Sequence, residues 1–314
     1  MMRILFLGTP DFAVHALSTI LDSGYDVVGV VTQPDRKRNR GEVSFCPVKA
    51  YALQKGIEVY QYESIRNEGV EDVSAINPDI MITCAFGQII SQEILDIPKY
   101  GVINIHASLL PKYRGSSPIQ WCLVNGEKQT GVTIMRTALA VDSGDILLQK
   151  TIDIQPDENA GELFDRLAVL GGETIVEALQ VIAEGKAVYM PQDENMATHY
   201  PMISKEDGRI DWSQSAVGIF NKMRGFTPWP SAFTYLEGKL FKISKCSVCE
   251  DKDIANAMQD YCQGEVYATK SSAYVKTGDG IIRLEEVQLE GKRSMDIAAF
   301  LIGGKLKSGV VLGE

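Results

Sequence analysis

VINIHASLLP, residues 102–111, begins as an apolar run directly after Gly101, and this run predicts a buried strand. Asn104 and His106 are two positions apart, so an extended strand presents both side chains on one face. A polar pair on a buried face costs free energy unless it meets hydrogen-bond partners or a ligand. Pro111 has no N–H to give to a sheet, so the chain leaves the sheet by that point. The stretch therefore brings an amide and an imidazole to the rim of a sheet, where open α/β sheets bind their ligands.

The residues before this stretch predict a parallel sheet. Residues 3–7 and 27–31 are predicted strands, and apolar residues recur at helical spacing between them. We expect Asp11 to cap that helix and Gly24 to end it. A strand–helix–strand opening is typical of an α/β fold with a parallel sheet. The single Gly8 after the first strand is not a GxGxxG motif, so nicotinamide binding has little support.

The pattern of the chain changes after residue 190. Between residues 232 and 287, short apolar alternations are separated by glycines, which favours a small antiparallel barrel. We therefore predict an α/β fold class, with an N-terminal Rossmann-like, doubly wound, mostly parallel sheet and a small C-terminal antiparallel β-barrel that is OB-like. The predicted divisions are a catalytic domain over 1–190, a linker over 191–205 and a C-terminal domain over 206–314.

The composition is that of an ordinary globular protein. Of the 314 residues, 45% are apolar and 23% are charged, which excludes a disordered or fibrous chain. No apolar run reaches the length of a membrane span, and the first residues lack the features of a secretory signal, so we expect a cytoplasmic protein. Six cysteines in such a chain predict free thiols. Cys246 and Cys249 have CxxC spacing but no second pair, which makes a poor zinc site.

The net negative charge of the chain comes from its N-terminal part, because the acidic and basic residues of the C-terminal part balance. The whole chain has 31 Lys and Arg against 41 Asp and Glu, whereas residues 205–314 have 15 of each kind. A globally acidic protein binds nucleic acid only through local basic clusters. Such a cluster occurs at Arg36-Lys37-Arg38-Asn39-Arg40. An isolated basic run is usually a solvated loop, but it can also be an arm that binds phosphates, and its position in an acidic half adds weight to this second alternative.

Asn104, His106 and Asp142 are the candidate catalytic residues. A carboxylate close to an imidazole orients the ring and favours its charged form, and an amide can donate to a developing oxyanion. No Ser or Cys is placed as a clear nucleophile and no second histidine completes a metal site, which favours acyl transfer to a substrate's own nucleophile without a covalent enzyme intermediate. Each residue also has a structural alternative: a core histidine, an amide that pins the backbone, and a turn aspartate. Asp145 competes with Asp142 for the same role.

The chain resembles the folate-dependent formyltransferases, and within them the methionyl-tRNA formyltransferases, along almost its full length. The stretch NIHASLLPKYRG, residues 104–115, is similar to the signature of that family. The other matching segments are GTPDFA at 8–13, TQPDR at 32–36, GSSPIQ at 115–120, TGVTIM at 130–135, DSGD at 142–145, IDW at 210–212 and PWP at 228–230. Ala107 and Ser116-Ser117 depart from the residues common in the family, but the three polar residues match.

This resemblance implies that a formyl group moves from 10-formyltetrahydrofolate to the α-amine of methionyl initiator tRNA, the step that precedes translation initiation. By the same resemblance, Asn104 and a charged His106 stabilise the oxyanion, while Asp142 holds His106 and helps to move the amine proton. The implied folate-binding residues follow two strands and are Ser108, Leu109, Leu110, Pro111, Phe86, Gly87 and Gln88. The resemblance implies no metal, no membrane partner and a monomer.

The tRNA contacts that the resemblance implies are basic residues in two parts of the chain. They are Arg36, Lys37, Arg38 and Arg40 in the basic segment, and Lys205, Arg209, Lys239, Lys242 and Lys245 in the C-terminal domain. Two other functions compete with this one. A formyltransferase acting on a small amine would need neither the basic segment nor the barrel, and a non-catalytic RNA-binding protein would not need all three polar residues.

Overall fold

The computed structural model describes residues 2–36 and 44–313. These residues form two compact units. The first unit contains the chain up to Pro118 together with 129–153 and 164–200, and the second contains 119–128, 154–163 and the chain from Pro201 onward. The predicted division at 191–205 stays a prediction.

The first unit is built on a seven-stranded sheet. Its strands are β1 (Arg3–Gly8), β2 (Asp26–Thr32), β3 (Val59–Gln61), β4 (Ile80–Cys84), β5 (Val102–His106), β7 (Gln129–Arg136) and β8 (Ile146–Asp153). They are ordered β3-β2-β1-β4-β5-β7-β8. The pairs from β3 to β5 are parallel, and β7 pairs antiparallel with both β5 and β8. The predicted α/β class with a mostly parallel sheet is confirmed.

The parallel strands are apolar because helices and loops cover both faces of the sheet. Every residue of β4 is buried, and so is every residue of β1 after Arg3. Burial on both faces requires continuous apolar runs instead of alternation. The helices of the first unit are α1 (Asp11–Asp22), α2 (Pro47–Gln54), α3 (Ile65–Glu68), α4 (Val70–Ile76), α5 (Gln92–Leu95) and most of α7 (Ala160–Ala183), whereas α6 (Pro118–Val124) belongs almost wholly to the second unit.

The predicted cap of the first helix is wrong by one residue. Pro10 occupies the N-cap position in an extended conformation, and Asp11 is the first residue of the helix. A carboxylate in the first turn still interacts favourably with the positive end of the helix dipole. An aspartate is therefore favoured at the first helical position as well as at the N-cap, and the sequence pattern does not distinguish the two. The helix ends near Gly24 as expected, since Gly24 has the left-handed φ of 80° that follows many helices.

The second unit contains an antiparallel sheet, as predicted. Its strands are β10 (Ala232–Leu236), β11 (Lys239–Val248), β12 (Val266–Ala268), β13 (Ala273–Lys276), β14 (Ile281–Leu289) and β15 (Met295–Asp296). The order is β10-β11-β14-β13-β12, and β15 pairs with β14. Helices α8 (Ala216–Gly225), α9 (Lys252–Ala257) and α10 (Ile297–Ile302) accompany this sheet. Its core is formed by side chains such as Trp212, Phe241 and Leu284. None of the helices in the described part of the chain is long and apolar enough to cross a membrane.

Candidate active site

Asn104 is the central residue of β5 and lies opposite Thr83 on the neighbouring strand β4. The hydroxyl of Thr83 donates a hydrogen bond to Asn104 Oδ1 at 2.8 Å. This bond occupies the oxygen of the amide, so the Nδ2 group is the part of the side chain that is left to donate a hydrogen bond. Asn104 is half-buried, whereas its neighbours in β5 are buried. The strand therefore presents an amide donor whose orientation is set by an adjacent threonine.

His106 is the last residue of β5, and both of its ring nitrogens face oxygen atoms. Nε2 lies 2.9 Å from the carbonyl oxygen of Tyr113. Nδ1 lies 3.6 Å from Oδ1 of Asp142, which is an electrostatic contact but longer than a hydrogen bond. Tyr113 has a left-handed φ of 61°, in the loop that follows β5. The loop thus turns back and holds the imidazole by its main chain, while Nδ1 faces the carboxylate.

Asp142 is the carboxylate that meets the imidazole, so the geometry favours it over Asp145. Its second oxygen, Oδ2, accepts a hydrogen bond from the backbone N–H of Gly115 at 2.8 Å. Asp142 has a left-handed φ of 53°, which a residue with a side chain adopts only in a constrained turn. The backbone carbonyl of Asp145 accepts from the N–H of Arg136, which closes this turn at the end of β7.

Gly144 allows this turn to pack closely against the end of β7. A Cβ atom at this position would lie 1.8 Å from the carbonyl oxygen of Arg136. Real Cβ atoms do not approach a carbonyl oxygen so closely, so only glycine fits here without a shift of the main chain. The glycine of the Asp-Ser-Gly-Asp segment, residues 142–145, is therefore a requirement of packing.

Behind Asp142 lies a group of polar side chains that the sequence analysis did not identify. This group is Arg114, Gln192 and Glu194. Arg114 is only 3% exposed and makes two hydrogen bonds to the carboxylate of Glu194, at 2.9 and 2.7 Å. This guanidinium lowers the pKa of Glu194. Arg114 belongs to the family signature, but no local pattern marks Gln192, which lies in the segment predicted to be a linker.

The predicted folate-binding residues after β5 are mostly buried. Ser108 is fully buried, and its hydroxyl donates to the carbonyl of Lys112 at 2.8 Å. Leu110 is also buried, whereas Leu109 and Pro111 are half-buried. Thr133 of β7 holds the loop, since its hydroxyl donates to the Ser108 carbonyl at 2.6 Å and accepts from the Leu110 N–H at 3.1 Å. These contacts fix the shape of the loop.

The predicted folate-binding residues after β4 differ in exposure. Phe86 is buried, and its carbonyl accepts from the amide of Gln33 at 3.1 Å. Gln88 bridges the carbonyl of Tyr62 and the N–H of Ile65, at 2.8 Å each. Gly87 is exposed and borders a cleft of about 380 Å³ at the ends of β1, β2 and β4. The residues lining this cleft are Thr9, Gln33, Pro34, Asp35, Arg36, Ser44, Cys46 and Gly87. Asn104, His106 and Asp142 do not line it.

The start of the basic segment is anchored by an ion pair. Asp35 pairs with Lys49 of α2, and the amide of Gln61 donates to the same carboxylate at 3.2 Å. Arg36, the next residue, is exposed. The other predicted tRNA contacts of this segment, Lys37, Arg38 and Arg40, lie outside the described residues. The chain therefore enters the basic segment from a fixed position.

In the second unit, several predicted tRNA contacts lie along β10 and β11. Arg209 pairs with Phe233 of β10, which in turn is opposite Lys242 of β11, so the three residues form one row across the sheet. The Arg209 guanidinium lies 5.7 Å from the centre of the Tyr235 ring. The exposed members of the predicted set are Lys205, Arg209, Lys239 and Lys245, and Lys242 is half-buried. Lys245 is 3.6 Å from Glu285.

Among the described residues, no group of three or more His, Cys, Asp or Glu side chains could hold a metal ion. The cysteines are free thiols, as predicted. Cys246 is buried, and burial raises the pKa of its thiol to about 12. Its Sγ lies 3.1 Å from the sulfur of Met223, so it packs as an apolar side chain.

Comparison with known proteins decides the family. A formyl transferase family model matches residues 2–179, and a model of the formyl transferase C-terminal domain matches residues 202–305. A methionyl-tRNA formyltransferase of Agathobacter rectalis is 48% identical over 98% of both chains. Those of Caldanaerobacter subterraneus and Geobacter sulfurreducens are 45% and 44% identical over 99% and 100% of this chain, and over 100% and 97% of their own.

The chain belongs to the methionyl-tRNA formyltransferase family. The family and the enzyme class predicted from the sequence, formyl transfer, are thereby confirmed. Solved structures share the fold at lower identity. The sugar 3N-formyl transferase WlaRD, solved with dTDP and 5-N-formyl-THF, has a TM-score of 0.68 at 20% identity over 93% of this chain and 99% of its own. HypX from Aquifex aeolicus in complex with tetrahydrofolic acid has a TM-score of 0.62 at 20% identity over 98% of this chain and 48% of its own.

We predict that Gly144→Ala lowers both stability and activity. The added methyl group would meet the Arg136 carbonyl and push the turn that carries Asp142. We expect a loss of about 1–3 kcal/mol in the free energy of unfolding and a fall in kcat of roughly 100-fold, measured by urea denaturation and by formyl transfer. Gly303→Ala is the control, because its new Cβ atom would lie 3.3 Å from the Phe300 carbonyl oxygen, a tight contact that a shift of a few tenths of an ångström relieves. A Gly144→Ala enzyme with normal kcat would show that the turn tolerates displacement.

We predict that the ion pair of Asp35 stabilises the first unit in a pH-dependent manner. The hydrogen bond from Lys49 lowers the pKa of the Asp35 carboxyl. A folded-state pKa below the unfolded value of about 3.9 means that the contribution is present above that value and lost as the pH falls through the lowered pKa. The stability difference between the native protein and Asp35→Asn should be constant well above the unfolded pKa and should shrink as the pH falls below it and through the lowered folded-state pKa.

Urea denaturation at several pH values measures this difference. Asp22→Asn is the control for the loss of one negative charge, because Asp22 is exposed at the end of α1. A difference between the native protein and Asp35→Asn that does not change with pH would contradict the assignment of the stabilisation to the charged carboxylate.

Proposed function

We propose that Asn104, His106 and Asp142 carry out the transfer of a formyl group from 10-formyltetrahydrofolate to the α-amine of methionyl initiator tRNA. The observation that carries this proposal is the arrangement at the end of β5. An oriented amide lies two residues from an imidazole that faces a carboxylate at 3.6 Å. This is the set of groups that acyl transfer to an amine requires.

Asn104 stabilises the charge that develops on the formyl oxygen. When bound, 10-formyltetrahydrofolate supplies the formyl carbon as the electrophile, and attack by the amine places negative charge on its oxygen. The Nδ2 group of Asn104 donates to that oxygen, because Thr83 already occupies Oδ1. A donor fixed before the reaction loses no free energy to reorientation in the transition state.

His106 and Asp142 handle the charge and the proton. The attacking amine becomes positively charged when the new C–N bond forms, and it must lose a proton. Asp142 is held by the N–H of Gly115 and faces His106 Nδ1. We assign to Asp142 the transfer of this proton and the orientation of the ring, and to His106 the stabilisation of the oxyanion. The proton finally goes to the departing folate nitrogen when the original C–N bond breaks.

The segments that follow β4 and β5 are proposed to form the folate site. We assign this role to residues 108–111 after β5 and 86–88 after β4, as the family resemblance implies. The side chains of Ser108, Leu110 and Phe86 are buried, so these positions contribute main-chain groups and shape. Gly87 and Leu109 are the more accessible members.

We assign tRNA binding to the basic segment, Arg36 to Arg40, and to the basic residues of the C-terminal domain. Arg209 and Lys242 lie in one row with aromatic residues beside them. Cationic side chains bind phosphates, which suits this surface to RNA. The proposed domains are the catalytic domain over 1–190, the linker over 191–205 and the tRNA-binding domain over 206–314. A monomer in the cytoplasm that uses no metal remains part of the proposal.

A second candidate is formyl transfer to the amine of a sugar. The structural similarity to WlaRD supports this alternative at the level of the fold. The 48% identity to a methionyl-tRNA formyltransferase over 98% of both chains favours tRNA. A single-turnover assay separates the two, since the proposed enzyme transfers formyl to charged initiator tRNA and leaves free amino sugars unchanged. The opposite preference would overturn the tRNA assignment.

We predict that Asn104→Ala, His106→Ala and Asp142→Asn each lower kcat by roughly 100- to 10,000-fold, the range for the loss of a positioned catalytic group. The measurement is single-turnover formyl transfer with saturating tRNA and folate. His15→Ala is the matched control for the histidine, because His15 is exposed on α1. Unaltered turnover in His106→Ala, with folding intact by circular dichroism, would falsify its role.

We predict that neutralising the four cations between Arg36 and Arg40 weakens tRNA binding and flattens its salt dependence. Each phosphate contact adds roughly 0.7–0.9 to the slope of log affinity against log salt concentration. Folate binding should change little, and filter binding at several salt concentrations measures the slope. Lys55→Gln with Lys99→Gln removes exposed cations from the same unit as the control. An unchanged slope would show that the basic segment is only a solvated surface.

A further inference from the structure

Gln192 links the buried Arg114 to the turn that carries Asp142. Its Nε2 group donates to the carbonyl of Asp142 at 2.9 Å and to the carbonyl of Gly144 at 2.7 Å. Its Oε1 accepts from Nε and Nη2 of Arg114, at 3.1 and 2.8 Å. One amide therefore satisfies two carbonyls of the turn and part of a buried guanidinium.

We propose that Gln192 is a positioning residue for the formyl transfer, acting through Asp142. By binding the main chain on both sides of Ser143, its amide holds the turn in the conformation that directs the Asp142 carboxylate at His106. This inference rests on the proposed role of Asp142.

The turn needs such a clamp because its own conformation is unfavourable. Asp142 is in the left-handed region with φ of 53°, which is costly for a residue with a Cβ atom. The residues that lead into it, 138–141, are exposed and contribute little packing. Two carbonyls of the turn converge on a single side chain, and they repel each other unless a donor lies between them.

The segment that carries Gln192 is itself bound to the loop after β5, and this fixes the position from which the Gln192 side chain reaches the turn. The Arg114–Gly115 strand, β6, pairs in parallel with β9 (His199–Tyr200). The rings of Tyr113 and Tyr200 are stacked with centres 5.0 Å apart. Arg114 and Gly115 thus hold Asp142 in two ways, through the Gly115 N–H on the carboxylate and through Gln192 on the main chain.

Glutamine is suited to this position because it combines two N–H donors with one acceptor. Arg114 can only donate, and the two carbonyls can only accept. Glu194 binds Arg114 from the other side by two hydrogen bonds and leaves its remaining donors to Gln192. A glutamate at position 192 would keep the acceptor for Arg114 but place a carboxylate oxygen against two carbonyl oxygens.

Variants at position 192 can therefore separate the positioning of Asp142 from structural support of Arg114. Gln192→Glu removes only the donors, and Gln192→Met removes both donors and acceptor. We expect kcat to fall roughly 10- to 100-fold in both variants, as for a small displacement of a catalytic group. The KM for 10-formyltetrahydrofolate should stay within about three-fold, since the clamp acts on the turn. Gln180→Glu, on the surface of α7, is the matched control with native kcat.

The pH profile provides a readout that loss of support would not move. In Gln192→Glu, protonation of the new carboxyl restores one O–H donor, and the usual pKa of such a group is about 4.3. The ratio of its kcat to that of the native enzyme should therefore rise as the pH falls from about 7 to 5. A ratio that is flat or falls over this range would overturn the proposal.

A second pair of variants keeps the test valid if Gln192→Glu does not fold. Gln192→Lys and Gln192→Met both lack the acceptor for Arg114, but only the lysine can donate to the two carbonyls. We expect kcat of Gln192→Lys to exceed that of Gln192→Met several-fold at similar thermal stability. Equal values would overturn the proposal.

The remaining outcomes distinguish this inference from the proposed function. If kcat is native in Gln192→Glu and falls only in Gln192→Met, the whole role of Gln192 is to support Arg114. That result would overturn the proposed action of Gln192 on the turn that carries Asp142. Asp142→Asn with native kcat would instead overturn the role of Asp142 itself. An inactive Asp142→Asn beside a fully active Gln192→Glu would overturn the clamp alone.

Discussion

The contact between the imidazole of His106 and the carboxylate of Asp142 is the constraint on which the rest of this site depends. The two groups come from different parts of the sheet, the end of β5 and the turn after β7, and neither strand alone places them together. Each is held by main-chain atoms: the Tyr113 carbonyl at Nε2 of the ring and the Gly115 N–H at the carboxylate. Because both holding groups belong to one short loop, a shift of that loop moves the ring and the carboxylate together.

The conformations that produce this contact are unusual ones. Tyr113 and Asp142 both adopt left-handed φ values, and Gly144 lies where no Cβ atom would fit. Such conformations persist only where neighbouring contacts determine them, and they concentrate at functional sites. Here the neighbouring contacts are polar. The buried guanidinium of Arg114, which donates hydrogen bonds to Glu194 and Gln192, is the largest polar group among them. A buried guanidinium without these partners would be strongly destabilising, so the same atoms that satisfy Arg114 also hold the site.

The division of charge along the chain agrees with a protein that handles tRNA at selected surfaces only. The N-terminal part is acidic and the C-terminal part is neutral, while the basic segment at Arg36 to Arg40 departs from the local trend. Asp35, Lys49 and Gln61 fix the point at which the chain enters that segment.

The sequence by itself determined the fold class and the family, because both follow from patterns along the chain, and it singled out the three polar residues to which we assign the catalysis. Continuous apolar runs mark strands buried on both faces, and Asn104 and His106 stand out within such a run. Three features were decided only by the tertiary structure. They are the choice of Asp142 over Asp145, the burial of Ser108 and Leu110, and the link from Glu194 through Arg114 and Gln192. Each depends on groups that approach from distant parts of the chain, and where a backbone carbonyl is one of them, its hydrogen bonds leave no trace in the identity of the residue that carries it.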